Sequence, residues 1–316
     1  MKRRRRLHIT QDDAQLFLLS LPTAVWYLCF CYLPMFGVII AFKNYRVAAG
    51  KGFIYSLLVN SKWVGFENFM YLFKTKYAAI IFKNTIGYNA IFIVLGVVIP
   101  VALAIMISEL YSAKLRRVCQ TAMFLPHFLS WVVVGYFVFA FLSTDKGLAN
   151  GLIKASGGAP IFWYQSPQYW PYLLVFMQLW KTVGYGMVVY LAAINGIDGA
   201  LYEAAVIDGA NKSQQVRYIT LPLLRPIMSI MVIMAVGRIF NSDFGLFYRT
   251  TQNSNSLTSV FLTIDVYVYN SLFAAGGKPQ YTYASAAGLL QSVLGCLTLL
   301  TANAVVKKID PDSAFF

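Results

Sequence analysis

The chain has 316 residues, 59% of them hydrophobic and only 12% charged, and its mean hydropathy is +0.61. Soluble domains are roughly half apolar and a quarter charged, so disorder and a pair of water-facing domains are both excluded, and the chain reads as an all-α polytopic membrane protein. The formal net charge of +14 is not a nucleic-acid footprint, because the basic residues sit mostly between apolar runs and no nucleic-acid-binding motif accompanies them.

A basic tail over residues 1–15, with Lys2 to Arg6 at its head, precedes an apolar run from Leu16 to Phe42. That run exceeds the 7–15 residues of a signal-peptide core, so it is the first membrane span. Runs of about 20 apolar residues place the other five at Thr85–Ser108, Val118–Phe141, Tyr169–Ile194, Pro226–Phe247 and Tyr283–Val306, giving a membrane domain over 16–306 and a tail over 307–316. Six spans put both termini on one side. The basic N-terminus, the 109–117 loop, the 195–225 loop and the tail at Lys307 and Lys308 make that side cytoplasmic.

The first outer segment, from Lys43 to Lys83, runs against this rule, since it also holds Arg46, Lys51, Lys62, Lys74 and Lys76. Within it, Gly65 to Phe73 carries aromatics at helical spacing and reads as an interfacial helix. The apolar stretch Leu257–Ala275 contains Asp265, and a crossing there would place Lys307 and Lys308 outside, so it reads as a helical excursion on the outer side. The four cysteines lie in apolar runs without metal or disulfide spacing and read as small hydrophobes.

The cytoplasmic segment 195–225 is long for an inter-span loop. Two helical stretches are legible, Ala200–Asp208 and Ser213–Ile219, the second ended by Pro222. Gly209 suits a left-handed helix terminus. Ala204 and Ala205 leave room for a partner, and Glu203 and Arg217 offer charges to fix it. A structural hairpin under the bundle would look the same from these residues alone.

Glu203, Ala204, Ala205, Gly209, Ile219, Leu221 and Pro222 reproduce the spacing of the EAA signature, E-A-A, three residues, G, nine residues, I, one residue, L-P. Seven fixed positions match by chance about once in 10⁸ starts at ordinary residue frequencies. The chain thereby resembles the permease subunits of ABC importers. Asp208–Gly209–Ala210 and the six-span order resemble the carbohydrate type, and 124–133, 239–248 and 307–316 resemble its oligosaccharide and polysaccharide subgroup, including alginate-type importers. The resemblance implies a type I importer permease in a bacterial inner membrane, forming half of an alternating-access pathway. It further implies a docking helix for a cytoplasmic ATPase at Glu203–Pro222, a second homologous permease chain, two ATPase subunits and an extracytoplasmic solute-binding protein.

No catalytic constellation is present, and the chain reads as a transport subunit rather than an enzyme. Lys212-Ser213 imitates the end of a phosphate loop, but Asn211 stands where glycine is needed, so ATP and magnesium belong to a separate ATPase chain. Ionisable residues inside spans are functional candidates. Gln178, Lys181, Thr182 and Tyr185 share one face of the fourth span, Arg238, Asn241 and Asp243 fall in the fifth, and Gln291 falls in the sixth. They read either as a polar pathway for a carbohydrate or as structural pairing, including a Lys181–Asp243 bridge. A basic face at Lys181 and Arg238 would suit an anionic sugar. His127 after Pro126 reads as part of a kink. An ATP-independent channel or secondary carrier is the competing class and would leave the EAA segment unexplained.

Overall fold

The computed structural model describes residues 11–273 and 279–309. The cluster Lys2–Arg6, His8, residues 274–275 of the outer excursion and residues 310–316 of the tail lie outside them. Among the described residues, five helices are long and apolar enough to cross a membrane, or six if one sharply bent pair counts as a single span.

The chain opens with α1 (Gln11–Tyr27), which runs on through a π turn (Leu28–Tyr32) and a 3₁₀ stretch (Leu33–Phe42). Its span, Gln15–Phe42, matches the expected one and is almost entirely exposed in the isolated chain, as a lipid-facing helix is. The segment after it carries a small antiparallel ladder of β1 (Lys43–Asn44) and β2 (Lys62–Trp63), with α2 (Phe53–Leu58) between them and α3 (Glu67–Lys74) after them. α3 is amphipathic as expected: Asn68 and Leu72 are buried, while Met70 and Phe73 are exposed.

The second span is α4 (Ala78–Ser108), which begins two turns before the expected Thr85. An apolar-window reading stops at Lys83, whereas helical backbone bonding does not. The expected third span is corrected. α5 (Ala113–Phe124) passes into a 3₁₀ turn (Leu125–Phe128), and α6 (Trp131–Leu142) restarts at 97° to it. The break has local causes: Pro126 lacks an N–H, Leu129 is extended, and the Ser130 hydroxyl accepts from Val133 N as an N-cap. Twelve residues rise only about 18 Å, too short for α6 to cross about 30 Å of hydrocarbon alone.

α7 (Leu148–Ala155) leads to α8 (Trp170–Asn195), the fourth span, which packs along α4 as the centre of the molecule. The 195–225 segment holds α9 (Gly199–Ile207) and α10 (Lys212–Gln215); the latter continues through a π turn (Val216–Thr220) into α11 (Leu221–Gly237). Two expectations change here. Pro222 does not end a helix but follows the π turn within one continuous helix, Lys212–Gly237. The fifth span also stops at Gly237 rather than Phe247, so Arg238, Asn241 and Asp243 lie beyond its end. The Asn89 amide donates to Ile239 O and Asn241 O at 2.9 Å each, satisfying carbonyls that a helix would otherwise pair.

The expected excursion forms α12 (Thr258–Phe261) and α13 (Ile264–Phe273), neither long enough to span. Phe261, Ile264 and Val266 enter the main core with Trp170, Leu174 and Phe247. α14 (Tyr281–Ile309) is the last span, close to its expected bounds. A second core, of Val101, Ala104, Met187, Tyr190 and Leu224, joins α4, α8 and α11 toward the 195–225 segment.

Candidate functional site: a capped hairpin and a charged break

The hairpin at 195–225 is fixed by its own backbone chemistry. Asp198 caps α9 by accepting from Ala200 N at 3.0 Å. At the other end Ala210 N donates to Ala205 O at 2.8 Å and Gly209 N to Val206 O at 3.0 Å, with Gly209 at φ +78°. This is a Schellman terminus, and the left-handed residue it requires is why glycine stands there. α10 then starts on a reciprocal capping box, Asn211 with Gln214.

Tyr202 and Thr220 share a hydroxyl hydrogen bond of 2.9 Å that ties α9 to the π turn. Lys212 pairs with Glu109 at 2.9 Å, the one salt bridge among the described residues, and a cleft of about 420 Å³ lies between the hairpin and the 109–117 loop.

Of the expected coupling residues, Glu203, Ala204, Asp208 and Gly209 are exposed, while Ala205, Ile219, Leu221 and Pro222 are half-buried. Beside Glu203 project Val206 and Ile207, 61% and 86% exposed. The motif draws attention to neither, yet two large apolar side chains on a polar-capped turn are what a docking surface needs.

The second constellation gathers at the break between α5 and α6. The Lys181 Nζ donates to His127 O at 2.8 Å and sits over the Trp131 ring at 5.5 Å. Trp131 Nε1 donates to the Asp243 carboxylate at 2.6 Å, and that carboxylate also accepts from Gly245 N at 3.0 Å. No Lys181–Asp243 salt bridge forms, because Trp131 stands between the two charges; nor does Arg238 pair with Asp243. Tyr185 stacks on His127 at 4.9 Å, with Phe124 beyond it.

Two glycines permit this packing: a Cβ on Gly184 would overlap the Met123 carbonyl, and one on Gly245 would overlap Trp131. Gln178 is on the same helix, its Oε1 buried without a partner among the described residues.

The remaining expected pathway residues separate from this group. Arg238 is exposed beside a cleft of about 250 Å³ walled by Ile233, Met234, Gly237 and Leu299. Asn241 is exposed at the end of the fifth span. Gln291 is buried and donates to Asp265 at 3.0 Å, within a network where Ser242 N and Oγ reach the same carboxylate at 2.6 and 2.7 Å. Trp131, Ser242 and Asp265 were not expected. A proline followed four residues later by Ser-Trp was the available signal for the break that exposes Trp131.

The comparisons agree with this architecture. Residues 93–310 match the family model of the binding-protein-dependent transport system inner membrane component. Protein LplB of Bacillus subtilis (strain 168) is 33% identical over 96% of this chain and 92% of its own. The polygalacturonan/rhamnogalacturonan transport system permease protein YteP of the same organism is 31% identical over 99% and 94%.

A solved bacterial ABC transporter involved in the import of the acidic polysaccharide alginate superposes with a TM-score of 0.83 at 30% identity, covering 95% of this chain and 97% of that one. A bacterial alginate ABC transporter in complex with alginate pentasaccharide-bound periplasmic protein superposes with a TM-score of 0.82 at 30% identity, over 95% and 96%. The chain belongs to the family of binding-protein-dependent inner-membrane permeases of ABC transporters and is a multi-pass membrane subunit with the type I importer fold.

Proposed function

We propose that this permease serves the ATP-driven import of acidic oligosaccharides, with α9 and the start of α10 docked on a cytoplasmic ATPase. The observation that carries the reading is the hairpin itself: a backbone locked by caps at every end presents Glu203, Val206 and Ile207 outward. A lever must be rigid along its length and adhesive at its tip, and a structural hairpin would bury that tip instead.

The membrane domain is the part over 16–306, with both tails cytoplasmic. A second homologous permease completes the pathway, two ATPase subunits hold ATP and magnesium, and a solute-binding protein delivers substrate from outside. Closure of the ATPases moves the docked hairpins and shifts the transporter between inward- and outward-facing states, each stabilised by different contacts.

Gln178, Lys181 and Tyr185, with Asp243 beside them, contribute polar and aromatic wall to the pathway; Arg238 and Asn241 flank it at the end of the fifth span, and Gln291 braces it from behind. Substrate acidity is supported by two relatives whose named polymers, polygalacturonan and alginate, are uronates. It is also supported by Lys181, an ammonium held against a carbonyl and an indole ring, with no carboxylate within 4 Å among the described residues and Asp243 held off on the other side of Trp131.

The test is purification in mild detergent, followed by ATPase assays with the co-purified chains, binding protein and trigalacturonate. Recovery of an ATPase and stimulated hydrolysis are expected; isolation of the chain alone under several extraction conditions refutes the reading. Lys181→Ala should lower uptake of trigalacturonate about tenfold, a transition-state loss of about 1.4 kcal/mol, and leave a neutral maltotriose nearly unchanged. Equal loss for both sugars removes the acidic-substrate assignment.

A further inference from the structure

The basic segment 43–83 is the feature that membrane sidedness leaves unexplained. Its position in the bundle follows from α4, whose 31 residues rise about 46 Å. The C-terminal end of α4 leads to Glu109, which pairs with Lys212 at the coupling hairpin. Ala78, and the segment just before it, are therefore at the opposite end. α14 begins at that same end, where Tyr283 stacks on Tyr71 at 3.9 Å and the Thr282 hydroxyl accepts from Tyr45 N.

Two clefts of about 360 Å³ each open here and share Gln280 in their walls. That size is within the range of small-molecule sites, about 300–1,000 Å³. One is walled by Tyr77, Asn253, Asn255, Tyr267 and Asn270, the other by Tyr45, Tyr71, Tyr281 and Tyr283.

Side-chain amides offer a donor and an acceptor a fixed distance apart, which suits neighbouring hydroxyls on a sugar ring, and tyrosines offer a flat face with a polar edge. The side-chain amides of Asn255 and Gln280, both exposed, have no protein partner among the described residues. Gln252 and Asn253, both left-handed at φ +54° and +50°, form the turn that carries these asparagines to the cleft. Glu67, the single carboxylate in residues 43–83, lines the second cleft, while Arg46, Lys51, Lys62, Lys74, Lys76 and Lys83 of the same segment are exposed, and Lys76 lies 4.9 Å over the ring of Tyr77 in the wall of the first.

We propose that this end of the bundle is a saccharide-binding subsite, in which the clefts meeting at Gln280 take an acidic oligosaccharide before it enters the pathway. The inference deepens the importer reading and rests on it. The amides and tyrosines recognise the polyol, and the excess of exposed cations in residues 43–83 over Glu67 supplies a longer-range preference for uronates. That division of labour explains why basic residues persist on a side that usually lacks them.

The test uses the purified complex, without binding protein, in nanodiscs of neutral phosphatidylcholine. Trigalacturonate and maltotriose are titrated and read by saturation-transfer NMR. The Asn255→Leu/Gln280→Leu double variant should weaken trigalacturonate binding at least about tenfold while Lys114→Gln, an exposed lysine at the opposite end of the bundle, retains it; Lys181→Ala is titrated alongside. Lys74→Gln/Lys76→Gln should weaken trigalacturonate several-fold, flatten its salt dependence and spare maltotriose.

Full affinity in the first double variant overturns the proposal, as does loss confined to Lys181→Ala, which would place all binding in the pathway. Lysine variants that alter only association with phosphatidylglycerol membranes would assign the patch to lipid headgroups and equally overturn it. If ATP hydrolysis is still stimulated by loaded binding protein but no direct binding occurs, the subsite alone fails; loss of both in the wild-type complex removes the importer reading first.

Discussion

Two regions of the molecule, the hairpin at 195–225 and the charged break between α5 and α6, are built differently. The coupling hairpin is assembled from neighbours in sequence: Asp198 with Ala200, Ala205 with Ala210, Asn211 with Gln214. The charged break joins residues 54 and 112 positions apart: Lys181 with His127, and Trp131 with Asp243. Local construction gives a part whose shape survives when the rest of the bundle rocks. Long-range construction gives a part whose geometry changes whenever the helices that carry it move. The proposed docking lever and substrate pathway need those opposite properties.

The contrast is broken most severely at Gly184, where α8 and α5 meet so closely that any side chain overlaps the Met123 carbonyl. Backbone cannot swing aside as a side chain can, so Gly184→Ala should cost about 3 kcal/mol, the upper end for overpacking. The expected result is a clear fall in the midpoint of thermal unfolding in detergent, with loss of transport. A near-native midpoint would mean that the α5–α8 contact yields easily and that the break is not held rigidly.

The hairpin can be broken without touching the bundle. At Gly209 the backbone has φ +78° and its N–H is bonded to Val206 O; proline permits neither. Gly209→Pro should reduce substrate-stimulated ATP hydrolysis at least about tenfold, equivalent to about 1.4 kcal/mol, while membrane insertion and the unfolding midpoint of the bundle change little. Glu203→Lys should uncouple as well, with the hairpin intact. Normal stimulation in both variants would reject the docking assignment.

A finer comparison comes from Trp131→Phe, which keeps the ring beneath Lys181 but removes the 2.6 Å hydrogen bond to Asp243. Bonds to charged groups contribute about 1.5–3 kcal/mol. Backbone N–H donors from Gly245 and Leu246 still serve the carboxylate, so the lower end is expected. A double-mutant cycle with Asp243→Asn isolates the pair; a coupling near zero would show that the indole is held by packing alone.

The same difference explains what the amino-acid sequence reveals. The apolar runs and the hairpin were legible because their causes are local: hydropathy over about 20 residues, and a glycine required by a left-handed terminus. The first, fourth and sixth spans fall within a few residues of expectation. The third and fifth did not, because hydropathy does not register hydrogen bonding. Leu129 and Ser130 are in an apolar run but end one helix and cap the next, and Asn89, 150 residues from Ile239, satisfies the carbonyl that lets the fifth span stop early. Gln291 likewise reads as a polar residue in a span until Asp265 is brought to it by α13.

The smallest expected effect concerns the Lys212–Glu109 ion pair, which links the hairpin to the rest of the bundle. Lys212 and Glu109 are 2.9 Å apart, but their side chains are 73% and 39% exposed. Water and salt screen such a pair, and ordering two long side chains offsets much of the Coulomb gain, so Lys212→Ala should cost no more than about 0.5 kcal/mol. Because α10 is already fixed by the Asn211–Gln214 box and by Tyr202 on Thr220, coupling should persist. A double-mutant cycle on stimulated ATP hydrolysis with Glu109→Gln sharpens the point. A coupling energy well above about 1 kcal/mol, absent from thermal unfolding, would mean that the pair forms or breaks between transport states, making the 109–117 loop part of the lever rather than the ground it moves against.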